Sequence, residues 1–388
     1  MRGSVSIERK TIVARLMRPK EQDEGSEAPP SKSPLVRRDQ GNELPTGGWG
    51  VRLNRLLLRL CRLYVAVLVG VWLLLLIGAD RWWVGTAVMY GPRWVWGVPL
   101  VALIPAAALA RRPRLLLSLV AAGIVLVGPV MRLCVPWRLA FGGDARGKPL
   151  RVLTCNVDYE DLDAGALGRV IAEADPDVVV LQSWKSRHEK KVFGQPGAQR
   201  AWHFHRDGEL LLASRFPILG RRVLESSDFP GGPGAAAAYD LQTPLGTVCV
   251  SNLHLATPRK ALEAVMRLRP TAAAAFHENT SLRRRQSQAA SAWAAGTSAA
   301  AARVIVAGDF NTPADSGVYR DSWSSFGNAF SEAGFGFGHT HFTRRTSVRI
   351  DHVLFGSGWR CRRCWVGPPV GSAHRPVIAD LEWVATSP

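Results

Sequence analysis

The sequence predicts an α/β domain of alternating strands and helices set behind three membrane-spanning helices, and three observations carry that reading. Three uncharged apolar runs, Leu63–Ala79, Trp94–Ala110 and Leu115–Met131, lie in the N-terminal part of the 388-residue chain. From Pro149 onwards, short β-branched runs alternate with amphipathic segments. Several of those runs stop abruptly in Asn, Asp or His, as "VIVAGDFNTP" does at residues 304–313.

Residues 1–58 mix charges with Pro, Ser and Gly and show no apolar periodicity, so they read as a disordered tail. Residues 59–136 form the membrane region. Each apolar run is 17 residues long, or ~25 Å of helix at 1.5 Å per residue, the short end of what crosses a bilayer. "VAVLVGVWLLLLIGA" has no polar face, which disfavours a buried soluble bundle, and the first run starts too far into the chain for a cleaved signal peptide. Arg52, Arg55, Arg59 and Arg62 precede the first span, and Arg111, Arg112 and Arg114 sit between the second and third. The first loop holds only Arg81 and Arg93, beside a belt of Trp82, Trp83, Trp94 and Trp96. The positive-inside rule then places the N-terminus in the cytoplasm and the C-terminal domain outside, against which Arg132, Arg138 and Arg146 weigh mildly.

The chain carries 49 Lys+Arg against 31 Asp+Glu, a formal +18. Such a balance fits a polyanionic partner, whether nucleic acid, an anionic membrane or a phosphorylated substrate, although arginine-rich membrane flanks account for it more simply than nucleic acid does. The 6 cysteines exclude a disulfide scaffold. Cys155 and Cys249 read as core, and Cys361-Arg-Arg-Cys364 has the spacing of a local disulfide without the partners of a zinc site. No GxSxG, P-loop or dinucleotide fingerprint occurs.

In the third region, residues 149–388, "LRVLTCNVDY" is a strand ending at Asn156 and "LDAGALGRVIAEADP" an amphipathic helix. "DVVVLQSW" and "GELLLASRFPI" are buried strands, and "GTVCVSNLHLATP" ends at Asn252 and His254. A helix through "LRRRQSQAASAWAA" precedes "RVIVAGDFNTP", whose strand ends at Asp309 and Asn311. "VRIDHVLF" carries Asp351 and "GSAHRPVIADLEW" carries His374. Arg283–Arg285 read as a solvated basic face. "GGPGAAAAYD" and "FGFGHTHF" read as loops, with His339 and His341 at the surface.

Asn156, "LLLASRFPI", His254, the Asp309–Asn311 turn, Asp351 and His374 occur in the order of the endonuclease/exonuclease/phosphatase superfamily, which residues 149 to 384 therefore resemble. The resemblance implies a four-layer deoxyribonuclease I-like sandwich and a hydrolase that cleaves phosphate esters with Mg²⁺ or Mn²⁺. It implies a phosphate-ester substrate (nucleic acid, phospholipid headgroup or inositol phosphate), with no protein partner expected. Its roles make physical sense: hydrolysis needs an activated water, neutralised phosphate oxygens and a protonated leaving oxygen. Asp309 would take the water's proton, Asn311 and Asn156 would donate amide N–H groups to the phosphate, and His254 and His374 would hydrogen-bond its oxygens, with Asp351 orienting a histidine or touching the metal. Two positions depart from the family. Ser183 follows Gln182 where the family has its metal-binding Glu, and Ala373 stands where it has Asp beside the last His. Either Asp158 and Glu209 join Asn156 and Asp309 in the metal shell, or the domain binds phosphate ligands at a membrane without turning them over.

Overall fold

A computed structural model describes residues 48–137, 149–158, 162–194, 201–224, 229, 235–267, 269–296, 303–344 and 346–384. Residues 1–47 of the expected tail, Arg138 and Arg146, and the Gly231–Gly234 half of the expected loop lie outside them.

The first helix, α1 (Gly48–Leu73), continues without a break to Gly78. It thus starts within the segment read as tail. Arg52, Arg55, Arg59 and Arg62 recur every three or four residues, so they share one helical face and leave the leucines the rest. A search for uncharged runs misses such a helix. The second apolar run is part of a longer, broken element. Here α2 (Trp83–Tyr90) meets the stretch from Arg93 through α3 (Val98–Leu109) at 90°. Gly91-Pro92 causes the corner, because proline removes a donor and drives the residue before it out of helical geometry. The last apolar element, α4 (Pro113–Val125), runs on to Val130. Among the described residues, two helices are therefore long and apolar enough to cross a membrane, or three if the bent pair is one span.

The chain then alternates strands and helices. First come β1 (Leu150–Asn156), α5 (Ala164–Ala174), β2 (Val178–Gln182), α6 (Glu189–Phe193), β3 (His203–Asp207), β4 (Leu210–Ser214) and β5 (Ile218–Val223). Next are β6 (Ala235–Thr243), β7 (Gly246–His254), α7 (Arg259–Met266), α8 (Ala272–Gly296) and β8 (Val304–Asp309). After these come α9 (Gly317–Trp323), β9 (Gly327–Asn328), α10 (Ala329–Ala333), β10 (His341–Phe342) and β11 (Ser347–Val348). The series closes with β12 (Asp351–Phe355), β13 (Trp359–Val366) and β14 (Val377–Trp383). Two six-stranded sheets result, ordered β13-β14-β1-β2-β4-β3 and β5-β6-β7-β8-β12-β9.

The inner faces of the sheets meet through Val152, Val180, Tyr239, Val250, Ile305 and Val353. On the outside, Leu167 and Ile171 of α5 cover Leu153, Val179 and Leu211, while Ala290 and Ala294 of α8 cover Ala236, Ala238 and Val304. Being covered on both faces, the central strands read as continuous apolar runs, which is why they were legible. The alanine run was not. Ala235–Ala238 begin β6 because small side chains suit a strand packed under a helix, an override of alanine's poor strand propensity by tertiary packing. Cys361 and Cys364 are free thiols, and an irregularity of the ladder between Cys361 and Arg363 lets both face the core. The expected basic face on α8 also divides: Arg285 is exposed, while Arg283 is buried.

Candidate active site

Strand register gathers the site. β7 runs parallel to β8 with His254 beside Asp309, and β12 runs antiparallel to β8 with Asp351 beside Asp309. On the facing sheet β1 ends at Asn156, paired with Gln182. The Asn156 amide crosses between the sheets to Asp309 Oδ2 at 3.0 Å. Gly308 allows the close approach of β7, since a Cβ there would lie 2.0 Å from the Leu253 carbonyl oxygen. Beyond their strands, Asp158, Ser183 and Asn311 take left-handed backbone, with φ of 37°, 56° and 49°. Such non-glycine turns persist only where their surroundings hold them, and they cluster at functional sites.

Asp309 lies at the centre. Its Oδ1 accepts the Asn311 backbone N–H at 2.8 Å, and its Oδ2 accepts the Asn311 side-chain amide at 3.1 Å. Two histidines point their Nε2 atoms at Oδ2, His254 from 3.7 Å and His374 from 3.8 Å. Each is held from behind at Nδ1 by a carboxylate: Glu209 Oε1 lies 2.8 Å from His254 and Asp351 Oδ2 lies 2.9 Å from His374. With Nδ1–H donated to these carboxylates, Nε2 is the atom each ring presents to the centre. Thr340 Oγ1 accepts the N–H groups of Ile350 and Asp351, each at 3.1 Å, and so fixes the start of β12.

The electrostatics follow from burial and pairing. Burial and then the Asp351 charge raise the Asp309 carboxyl above its usual range, against the pull of both histidines. For His374, burial favours the neutral ring, but the Asp351 and Asp309 charges outweigh it and push the pKa up to about 9. Burial also works against His254⁺, yet the Glu209 hydrogen bond and the Asp309 charge leave its pKa raised. Asp351 is depressed, because His374 outweighs the effect of burial.

Asn156, His254, Asp309, Asn311, Asp351 and His374, expected from the sequence, thus come together. Glu209 reaches the centre through His254, as that ring's partner. Asp158 is exposed at the rim. Its backbone N–H donates to Asn156 Oδ1 at 3.1 Å, and its charge contributes to the raised pKa of His374. The Asn311 amide, expected to face a phosphate, donates instead to Asp309 and to the Leu255 carbonyl at 2.8 Å, so its N–H groups are engaged within the protein. Two contributors were missed. His341 is half-buried, with its ring centroid 4.6 Å from that of His374, and burial together with the His374 charge pushes it down to about 4. Ser372 Oγ donates to the Asn156 carbonyl at 2.8 Å and accepts the His374 N–H at 3.0 Å. The closely spaced His339 and His341 were the only signal of the first, and neither is a free surface group: His339 shares a 2.7 Å hydrogen bond with Ser347.

The donor set fits a divalent cation. Ligand atoms of Asp309, Asp351 and His374 lie within 4.8 Å of one another, and the first two supply the hard carboxylate oxygens that Mg²⁺ or Mn²⁺ takes. A cation would also relieve the mutual repulsion that raises Asp309. Ser183 is buried and Ala373 half-buried at the neighbouring strand ends, and neither adds a charge. A cavity of about 210 Å³ opens nearby, between Arg93 and Met131 of the helical region and Asp315, Phe342 and Arg349. None of Asp309, His254 or His374 lines it, so it neighbours the site.

A model of the Endonuclease/Exonuclease/phosphatase family matches residues 153–374. No curated protein matches the chain. Among solved structures, the chain is similar to an endonuclease/exonuclease/phosphatase from Beutenbergia cavernae DSM 12333, at 18% identity over 61% of this chain and 72% of that one, with a TM-score of 0.45. It is also similar to the mannosyl-6-phosphatase Bt3783 of Bacteroides thetaiotaomicron VPI-5482, at 15% identity over 60% and 100% of the two chains, with a TM-score of 0.45. A third is sphingomyelinase C from Streptomyces griseocarneus, at 18% identity over 60% and 99%, with a TM-score of 0.41.

Proposed function

The chain belongs to the endonuclease/exonuclease/phosphatase family, and from that premise we propose that it is a membrane-anchored, divalent-metal-dependent hydrolase of phosphate esters. One observation carries the reading: two carboxylate-backed histidines converge on one buried carboxylate. Asp309, the buried carboxylate on which the other groups converge, accepts a proton from the attacking water. The water oxygen bonds to phosphorus as the bond to the leaving alkoxide breaks. His254, whose charged form the Glu209 hydrogen bond favours against burial, delivers its Nε2 proton to that leaving oxygen. His374, cationic beside Asp351, hydrogen-bonds a non-bridging oxygen and offsets its charge. Asp309 and Asp351, with His374 beside them, would hold the metal, which supplies Lewis-acid polarisation of the phosphate.

The test uses the full chain in detergent with bis-p-nitrophenyl phosphate. Hydrolysis with Mg²⁺ or Mn²⁺ that EDTA abolishes and added metal restores is the expected result. Neither metal giving turnover sinks the enzyme reading and leaves a phosphate-binding membrane protein. Restoring carboxylates with Ser183→Glu and Ala373→Asp should tighten metal binding by on the order of 10- to 100-fold, at least the scale of an outer-shell partner. An unchanged metal titration would show that these positions do not face the cation.

The basic flank of α1 and the arginines between α3 and α4 support a cytoplasmic N-terminus with the hydrolase domain outside. A reporter fused after residue 145 that functions only when exported is expected to be active. A reporter that works only in the cytoplasm there reverses the topology.

A further inference from the structure

The loop that follows Asp309 is gripped from the N-terminal helical region, which lies outside the family match. Tyr90, the last residue of α2, donates its hydroxyl to the Asn311 carbonyl oxygen at 2.8 Å. The Arg283 guanidinium donates to that same Tyr90 oxygen at 2.8 Å, to Thr312 Oγ1 at 3.1 Å and to Asp80 Oδ1 at 3.3 Å. Asp80 sits at the corner between α1 and α2, and its other oxygen accepts the Val318 N–H at 3.3 Å. Further out, Arg93 clasps Asp315 at 2.7 Å while donating to the Met89 and Val130 carbonyls.

This arrangement is costly and specific. The Arg283 and Asp80 side chains are 1% and 0% exposed. Desolvating such a pair costs several kcal/mol per ion, so an apolar filling would serve stability as well. What an apolar filling cannot do is hold a carbonyl in a set direction. The carbonyl held here belongs to Asn311, whose left-handed backbone needs outside support, and whose backbone and side-chain N–H groups orient Asp309 together with the Asn156 amide. A single hydrogen bond therefore links the helical corner to the residue that aims the catalytic carboxylate.

We propose that Tyr90 is a positioning residue of the active site, held in place by Arg283 and Asp80, so that the helical region completes the catalytic centre as well as anchoring it. The role rests on the hydrolase reading for its effect on turnover, but its effect on the loop does not. Tyr90→Phe removes one hydroxyl and keeps the ring. In the full chain it should lower kcat about tenfold, short of the 10²-fold that a 1 Å misplacement can cost, with KM within twofold of wild type. Hydrogen exchange should accelerate in peptides covering Phe310–Ser316 and stay unchanged in β1 and β7. Tyr64→Phe is the control, because it deletes another tyrosine hydroxyl of the helical region, part-buried and bonded to the Trp96 carbonyl at 3.1 Å, and should leave both readouts unchanged. If the wild type shows no turnover but the loop still loosens in Tyr90→Phe, the positioning contact stands and the hydrolase reading falls. Unchanged exchange in the loop with unchanged kcat overturns the proposal, and so does acceleration spread evenly over the whole domain.

Discussion

Replacing Asp309 with asparagine should lower kcat by on the order of 10²-fold or more, the scale of a lost general base. The substitution is nearly isosteric, and its effect can be separated from folding. The Asn156 and Asn311 amides both donate to Asp309 Oδ2, and an amide oxygen at that place accepts the same bonds, while the new NH2 at the Oδ1 place gives up the bond from the Asn311 backbone N–H. What is lost is the ability to take a proton, together with one negative charge among buried groups. That charge helps raise both His254 and His374, so both rings should titrate lower in the variant. The expected signature is a collapsed kcat, a melting temperature lowered only by the lost Asn311 backbone bond and histidine resonances that move to lower pKa. Retention of half the activity would place the base elsewhere.

The ends of the strands were the legible part of this site, and the reason is physical. A strand buried on both faces leaves a near-continuous apolar run, so a polar residue that stops it stands out, as Asp309 does after Val304-Ile305-Val306. Asn156 and His254 stand out in the same way, whereas Asp351 stands at the start of its strand. What stayed hidden is pairing across the fold. Glu209 lies in the turn just before β4 on one sheet and His254 closes β7 on the other, so no spacing along the chain marks them as partners, and the sequence offers the carboxylate only as a candidate metal ligand. Arg283 looks like its two arginine neighbours. It is buried where a corner 203 residues away brings Asp80 to it, beside Tyr90 and Thr312. The break at Gly91-Pro92 lies just before the apolar run that starts at Trp94, so it interrupts no uncharged stretch. The alanines of β6 are a tertiary outcome that no local propensity contains.

Replacing His254 with glutamine should cost 10²- to 10⁴-fold in kcat/KM, the range of a general acid, but only on substrates whose leaving oxygen needs a proton. The argument lies in the Glu209–His254–Asp309 line. Glu209 holds Nδ1 at 2.8 Å, which turns Nε2 toward the centre and favours the charged ring. An alkyl phosphate ester departs as a basic alkoxide and depends on that proton. A p-nitrophenyl ester departs as a stable phenolate and does not, so the variant should lose little on it. The pH dependence follows with a definite sign. The His254 pKa is raised, so the acid form persists above the ordinary histidine range, and activity on alkyl esters should fall only as the pH climbs through that raised value. Glu209→Gln removes the hydrogen bond to a charged acceptor and should draw this alkaline limb down towards ordinary histidine. His374, pushed up to about 9, contributes its own limb, but it acts on the phosphate oxygens and should do so with either leaving group. The limb that appears with alkyl esters and vanishes with the p-nitrophenyl ester therefore belongs to His254. Equal losses on both substrates would mean that His254 binds the phosphate and delivers no proton.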